Sequence, residues 1–169
     1  MKKINKIILT AVIALSTLNF TFAQSKVAHI NTQELVASMP EMNTAKAELE
    51  KLAKTYETDI QTMAAELQSK VKQYDSEAPN QTDEENQKRL QEVQGMEQSI
   101  RQYQQQAQSD LQKKEFDLLK PISEKAQAAI ISVANAQGFD YVLDSTQGQG
   151  VILANGKDLM GDVKSELGF

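Results

Sequence analysis

Two apolar stripes in the middle of the chain limit what it can fold into. The first runs Met42, Ala45, Leu49, Leu52, Tyr56, Ile60, Met63, Leu67, Val71 and Tyr74, with a mean step of 3.6 residues, the repeat of an α-helix. The second runs Leu90, Val93, Met96, Ile100, Tyr103, Ala107, Leu111 and Leu118. In an antiparallel pair of helices, the numbers of facing residues add to a constant. Val71 with Leu90 gives 161, Met63 with Met96 gives 159, Ile60 with Ile100 gives 160 and Leu49 with Leu111 gives 160. Half of 160 falls on Pro79-Asn80, where proline cannot extend a helical ladder. The spacing predicts a long antiparallel helical hairpin.

The ends of the arms carry their own signals. Ser38, Pro40 and Glu41 read as a capping box with proline in the first turn, and Thr82 with Glu85 reads as a second capping box. The outgoing arm from Pro40 to Ser76 has 37 residues, roughly 55 Å of helix. The return from Thr82 to Lys120 has 39, and the tip lies near residues 77–82. Eleven Gln fall between Gln81 and Gln112, so the second stripe is a narrow seam on a polar helix, as in a two-helix coiled coil. Pro121 should bend the helix. Beyond it Ile122, Ala126, Ala129, Ile130 and Val133 share one face as far as Gly138, a helix-ending residue.

The remaining mature residues, 24–39 and 121–169, read as a small α/β body for oligomerisation, with 40–120 as the hairpin. Val27 to Ile30 is a strand, and Asn31 with Glu34 caps a short helix. Phe139 to Leu143 reads as a second strand by composition and alternation, and Val151 to Ala154 as a third. Asp158 caps a last helix carrying Leu159, Met160, Val163 and Leu167. The fold class is α+β, mainly α. So few short strands expose their edges and leave a small core, so the body should need partner copies.

Residues 1–23 read as a secretory signal peptide. Met1 to Lys6 is basic, Ile7 to Phe22 is mostly apolar, and Thr21-Phe22-Ala23 puts small residues at the cleavage positions. The mature chain then has 15 basic and 23 acidic residues, a net charge of −8. That balance argues against a nucleic-acid partner, which would draw on clustered Lys and Arg. With no Cys and one His, a thiol nucleophile is excluded and a Cys-containing zinc site with it. His29 has no metal-ligating or general-base partners at suitable spacing. Gly150 to Lys157 departs from the phosphate-loop pattern at two positions. The sequence carries no enzyme constellation and calls for no cofactor.

The order of these parts is similar to that of a known family. The leader, Lys26 to Asn31 (KVAHIN), the Gln-rich hairpin, the run AIISVANAQGFDYVLD and the tail GVILANGKDLMGDVKSELG resemble the Skp/OmpH family of periplasmic chaperones. The resemblance covers the whole mature chain. It implies a homotrimer shaped like a jellyfish, with strands from three chains in its body and three helical tentacles around a cavity. It also implies that unfolded outer-membrane β-barrel proteins are held there without ATP until membrane insertion. The best-known members are strongly basic. Here residues 40–120 carry 11 basic and 16 acidic residues, net −5, so no strong direct membrane binding is expected and capture should depend on apolar contact.

Flexible Met and amphipathic Tyr suit indiscriminate contact with unfolded clients. The candidate contacts are Tyr56, Met63, Tyr74, Met96 and Tyr103, which also have the spacing of simple seam residues. Lys70, Lys72, Lys88 and Arg89 form a possible basic patch near the tip. The alternative function is a structural periplasmic coiled-coil spacer or adaptor with one folded partner.

Overall fold

The computed structural model describes residues 25–169; the expected signal peptide lies outside them. Strand β1 (Val27–Ile30) leads into α1 (Thr32–Ser38) and the long α2 (Pro40–Glu77). A 3-10 turn at Ala78–Asn80 reverses the chain into α3 (Asp83–Gln137). Then come β2 (Tyr141–Asp144), β3 (Lys157–Asp158) and α4 (Met160–Leu167). The molecule is mainly helical, a hairpin on a small β-containing body, as the stripes require.

The predicted punctuation is largely present. Asn31 Oδ1 accepts from the Glu34 amide at 3.0 Å, and Thr82 Oγ1 accepts from the Glu85 amide at 3.2 Å. Gly138 ends α3 at φ 70°, where a residue with Cβ would be strained. Helix α3 passes through Pro121 without ending.

Three details differ from the sequence reading. Ser38 and Glu41 form no capping box: Ser38 Oγ donates to the Leu35 carbonyl at 2.8 Å, closing α1. Glu41 pairs instead with Lys125 of α3, and α2 starts at Pro40 after an extended, buried Met39. The second strand begins at Tyr141, because Phe139 packs against the core beneath the end of α3. Val151–Ala154 is not a strand, and Ile152 is fully exposed with Leu153 at 76%. Lys157–Asp158 takes the third place, parallel to β1.

The sheet order is β2-β1-β3, with both pairings parallel. Alternation divides β1. Ala28 and Ile30, each 1% exposed, face inward, while Val27 and His29 face outward. Leu35, Met39, Leu159 and Val163 are fully enclosed with Ala45 and with Ile122, Ala126, Ala129 and Val133 of α3. One core therefore joins the base of the hairpin to the sheet and to α1 and α4. The loop after β2 is tied to α1 through Asp144. Its carboxylate accepts from the Thr32 and Thr146 hydroxyls, each at 2.6 Å, and from the Thr146 amide at 2.9 Å.

Candidate functional site

The seam of the hairpin is where the sequence placed its contact residues, and the structure brings them together across the arms. Tyr56 and Tyr103 meet edge to face, with ring centroids 5.6 Å apart. Met63 and Met96 line one groove with Ile100, Glu66, Glu92, Gly95 and Ser99. A Cβ added at Gly95 would meet nothing within 4 Å, so packing does not require glycine there. Tyr74 lies nearer the tip beside Lys70 and Arg89.

All five candidate contacts are half-buried. Two helices cannot enclose a seam, because each leaves both flanks of the apolar line to solvent. Within the two stripes only Ala45 and Ala107 are buried, and Leu90 is 58% exposed. A second stripe of polar bonds ties the arms together. Tyr56 donates to Asp110 at 2.7 Å, Tyr103 donates to Asp59 at 2.6 Å, and Tyr74 donates to Glu92. The Asp59 hydrogen bond, with desolvation and the carboxylate's charge, pushes the Tyr103 hydroxyl up to about 12. The bond to Asp110 likewise raises Tyr56 and lowers Asp110. Sequence reasoning missed these bonds. The signal was present: a Tyr reaches past the residue it faces, and each acceptor lies a few residues beyond the register sum of 160.

The four expected basic residues do not form one free patch. Lys70 pairs with Glu92. Arg89 pairs with Glu77 at 2.8 Å and Glu85 at 3.6 Å, and lies 4.6 Å above the Tyr74 ring. Lys88 is 77% exposed in its side chain, with only Glu85 within 4.0 Å. Lys72 is exposed and makes no ion pair among the described residues. Nearby carboxylates offset two of the four charges. His29 lies on the outer face of β1 with Nδ1 3.3 Å from Ser145 Oγ.

The outer face of the body is apolar as well. The register pairs Val27 with Tyr141 and His29 with Leu143, placing four side chains on one face. Val27, Tyr141 and Leu143 are 42%, 60% and 45% exposed. Among the described residues no helix is long and apolar enough to cross a membrane.

The family model for outer membrane protein (OmpH-like) matches residues 26–167, spanning both hairpin arms and the body. The chain belongs to the OmpH-like family. A crystal structure of a candidate outer membrane chaperone (OmpH-like) from Caulobacter crescentus CB15 matches with a TM-score of 0.76 at 18% identity. The match covers 85% of this chain and 84% of that one, and the likeness is one of fold. No match emerges among curated proteins. Most of the OmpH-like fold is thus kept while most residue identities differ, as expected when stripe spacing and capping set the architecture.

Proposed function

We propose that this OmpH-like chain is an ATP-independent periplasmic holdase, exported by its leader, that binds unfolded outer-membrane β-barrel proteins and prevents their aggregation before insertion. The observation that carries this reading is the half-exposed seam, which offers apolar side chains along most of a hairpin roughly 55 Å long. Family membership supports it, as does the likeness to a protein described as an outer membrane chaperone. No cofactor or catalytic group is needed. A client with exposed apolar strands is held weakly at many points, and each bound molecule is withdrawn from aggregation by mass action.

Assembly belongs to the same proposal. Parallel sheets are ordinarily covered on both faces, yet this one leaves Val27, Tyr141 and Leu143 uncovered, and Ile152 and Leu153 project from the loop before β3. A homotrimer would cover that face and set three hairpins around a shared space. Size-exclusion chromatography after mixing with several unrelated denatured β-barrel proteins tests the reading. Co-elution with each of them supports a holdase. Retention of one folded partner and none of the unfolded ones supports a spacer or adaptor instead.

A further inference from the structure

Of the grooves along the hairpin, two share one lining pattern, one near the tip and one at mid-arm, of about 340 and 510 Å³. The mid-arm groove is lined by Ala53, Glu57 and Ile60 of α2 and by Gln104, Ala107 and Leu111 of α3. The tip groove is lined by Val71, Asp75, Ala78, Asn86, Arg89 and Val93. Each residue of the first set has its counterpart in the second 18 positions away, on both arms. Eighteen residues make five turns of α-helix. The grooves therefore lie on the same flank of the hairpin, about 27 Å apart, and repeat most of one pattern: three apolar positions, a carboxylate on α2 and a side-chain amide on α3, with Arg89 standing where the mid-arm groove has Ala107.

The polar bonds between the arms occupy a different line. Asp59, Tyr103 and Asp110 each precede a groove residue (Ile60, Gln104, Leu111) by one position, a turn of about 100° around the helix. That flank is crossed by the bonds from Tyr56, which also borders the mid-arm groove, to Asp110 and from Tyr103 to Asp59 and by the Lys114–Glu48 ion pair at 2.9 Å, and it holds the Met63–Met96 groove. The flank with the two grooves is bridged near the tip, by the Asn86 bond to the Ala78 carbonyl at 3.1 Å and the Arg89–Glu77 ion pair at 2.8 Å, and is the more open of the two.

We infer that the more open flank is a two-subsite track for a single extended polypeptide segment, with one apolar side chain seated in each groove. This rests on the holdase reading and assigns it a surface. An extended chain advances about 3.3 Å per residue, so 27 Å corresponds to anchors about eight residues apart. Gln104 and Asn86 stand at equivalent places; Asn86 Nδ2 donates to the Ala78 carbonyl at 3.1 Å, which leaves its Oδ1 and second N–H, with the whole Gln104 amide, for the segment's backbone. Glu57 and Asp75 are also equivalent, and neither takes part in an ion pair among the described residues. The one cation lining a groove, Arg89, is held by Glu77 and Glu85. The charge of the track therefore favours a segment with Lys or Arg beside its apolar anchors and disfavours an acidic one.

Fluorescence anisotropy with labelled synthetic peptides of about twelve residues tests this, the length being set by the span between grooves. Peptides with two Leu anchors about eight residues apart and flanking Lys should bind about tenfold tighter than peptides with the anchors about four apart, the gain expected from seating a second Leu. Leu90→Gln at the exposed rim of the tip groove should reduce the wide-spaced peptide to the affinity of the close-spaced one. Ser69→Gln, at an exposed position that lines none of the hairpin's grooves, should leave binding unchanged. Replacing the flanking Lys by Glu should weaken binding, and Glu57→Gln should narrow that difference. Equal affinity for both spacings, an equal loss from Leu90→Gln and Ser69→Gln, or no peptide binding overturns the track. A parallel turbidity assay with a denatured β-barrel protein keeps the two readings apart. Suppression there without spacing dependence refutes the track and leaves the holdase standing.

Discussion

Tyr56 and Tyr103 face each other across the hairpin at 5.6 Å between ring centroids, with their planes inclined by 62°. Each also donates its hydroxyl to an aspartate of the opposite arm. Two helices that share so narrow a seam gain little from full burial. Reciprocal contacts of this kind therefore fix the register of the arms while leaving apolar flanks in reach of solvent.

The register can be tested by crosslinking. Cysteines introduced at Met63 and Met96, which line one groove, should form an intramolecular disulfide under mild oxidation. Cysteines at Met63 and Leu111 should not, since Leu111 lies about four turns further along α3. Equal crosslinking of the two pairs would contradict the register.

Alkaline titration tests the tyrosine–aspartate bonds. The folded state holds the Tyr103 hydroxyl at about 12, above its ordinary 10.0, so it favours the neutral form. The associated stability is intact below pH 10 and is lost as pH rises through 12. Phenolate absorbance should show at least one tyrosine titrating late. Tyr103→Phe should remove the step near 12, leaving the delayed titration of Tyr56, and lower the melting temperature near neutral pH. A wild-type titration with all tyrosines near 10 would show that the bonds do not persist in solution.

How much of this was legible in the sequence depends on whether a residue answers to its own helix or to something outside it. The seam, the tip, the Thr82 cap and the Gly138 stop each rest on local spacing, and each was readable. Ser38 was misread because its hydroxyl has two uses at a helix junction. The buried Met39 turns the chain so that closing α1 is the one realised. Val151–Ala154 has the composition of a strand, but strand formation needs a neighbouring edge, and Lys157–Asp158 holds the place beside β1. At the candidate site the Met and Tyr positions were visible as periodicity. The neutralisation of Lys70 and Arg89 was not, because Glu92 acts on Lys70 from the other arm and Glu77 on Arg89 from across the tip.

Acid should loosen the body before the arms' apolar contacts fail. Burial pushes the Asp144 carboxyl up, but hydrogen bonds from Thr146 and Thr32 outweigh it and bring it down from 3.8 to about 2. Its contribution is fully present above pH 4 and is lost as pH falls toward 2. Asp144→Ala leaves the buried Thr146 hydroxyl without that acceptor and should cost about 1–3 kcal/mol. Urea unfolding of wild type and variant between pH 5 and 2 should show the two curves converging at the acid end. A constant gap across that range would contradict the assignment.

Assembly should depend on the projecting loop. Light scattering of the mature protein at micromolar concentration should give about three times the chain mass, and Ile152→Asp with Leu153→Asp should shift it toward monomer. Both side chains are largely exposed, so the substitution costs the isolated chain little. A wild-type monomer, or a trimer indifferent to the double substitution, would remove this loop from the interface.

The central claim is that this chain keeps unfolded β-barrel proteins soluble by apolar contact, without ATP. A denatured acidic β-barrel protein diluted into buffer with and without the mature protein, followed by turbidity in a sodium chloride series, tests it most directly. With residues 40–120 at net −5, attraction of opposite charges is not the capture device, and exposed charges are screened over about 8–10 Å at ordinary ionic strength. Apolar contact resists moderate salt. Turbidity should be suppressed without ATP, and suppression should stay level or improve from low to moderate salt. Turbidity unchanged by the protein, or suppression that collapses as salt rises, would contradict it.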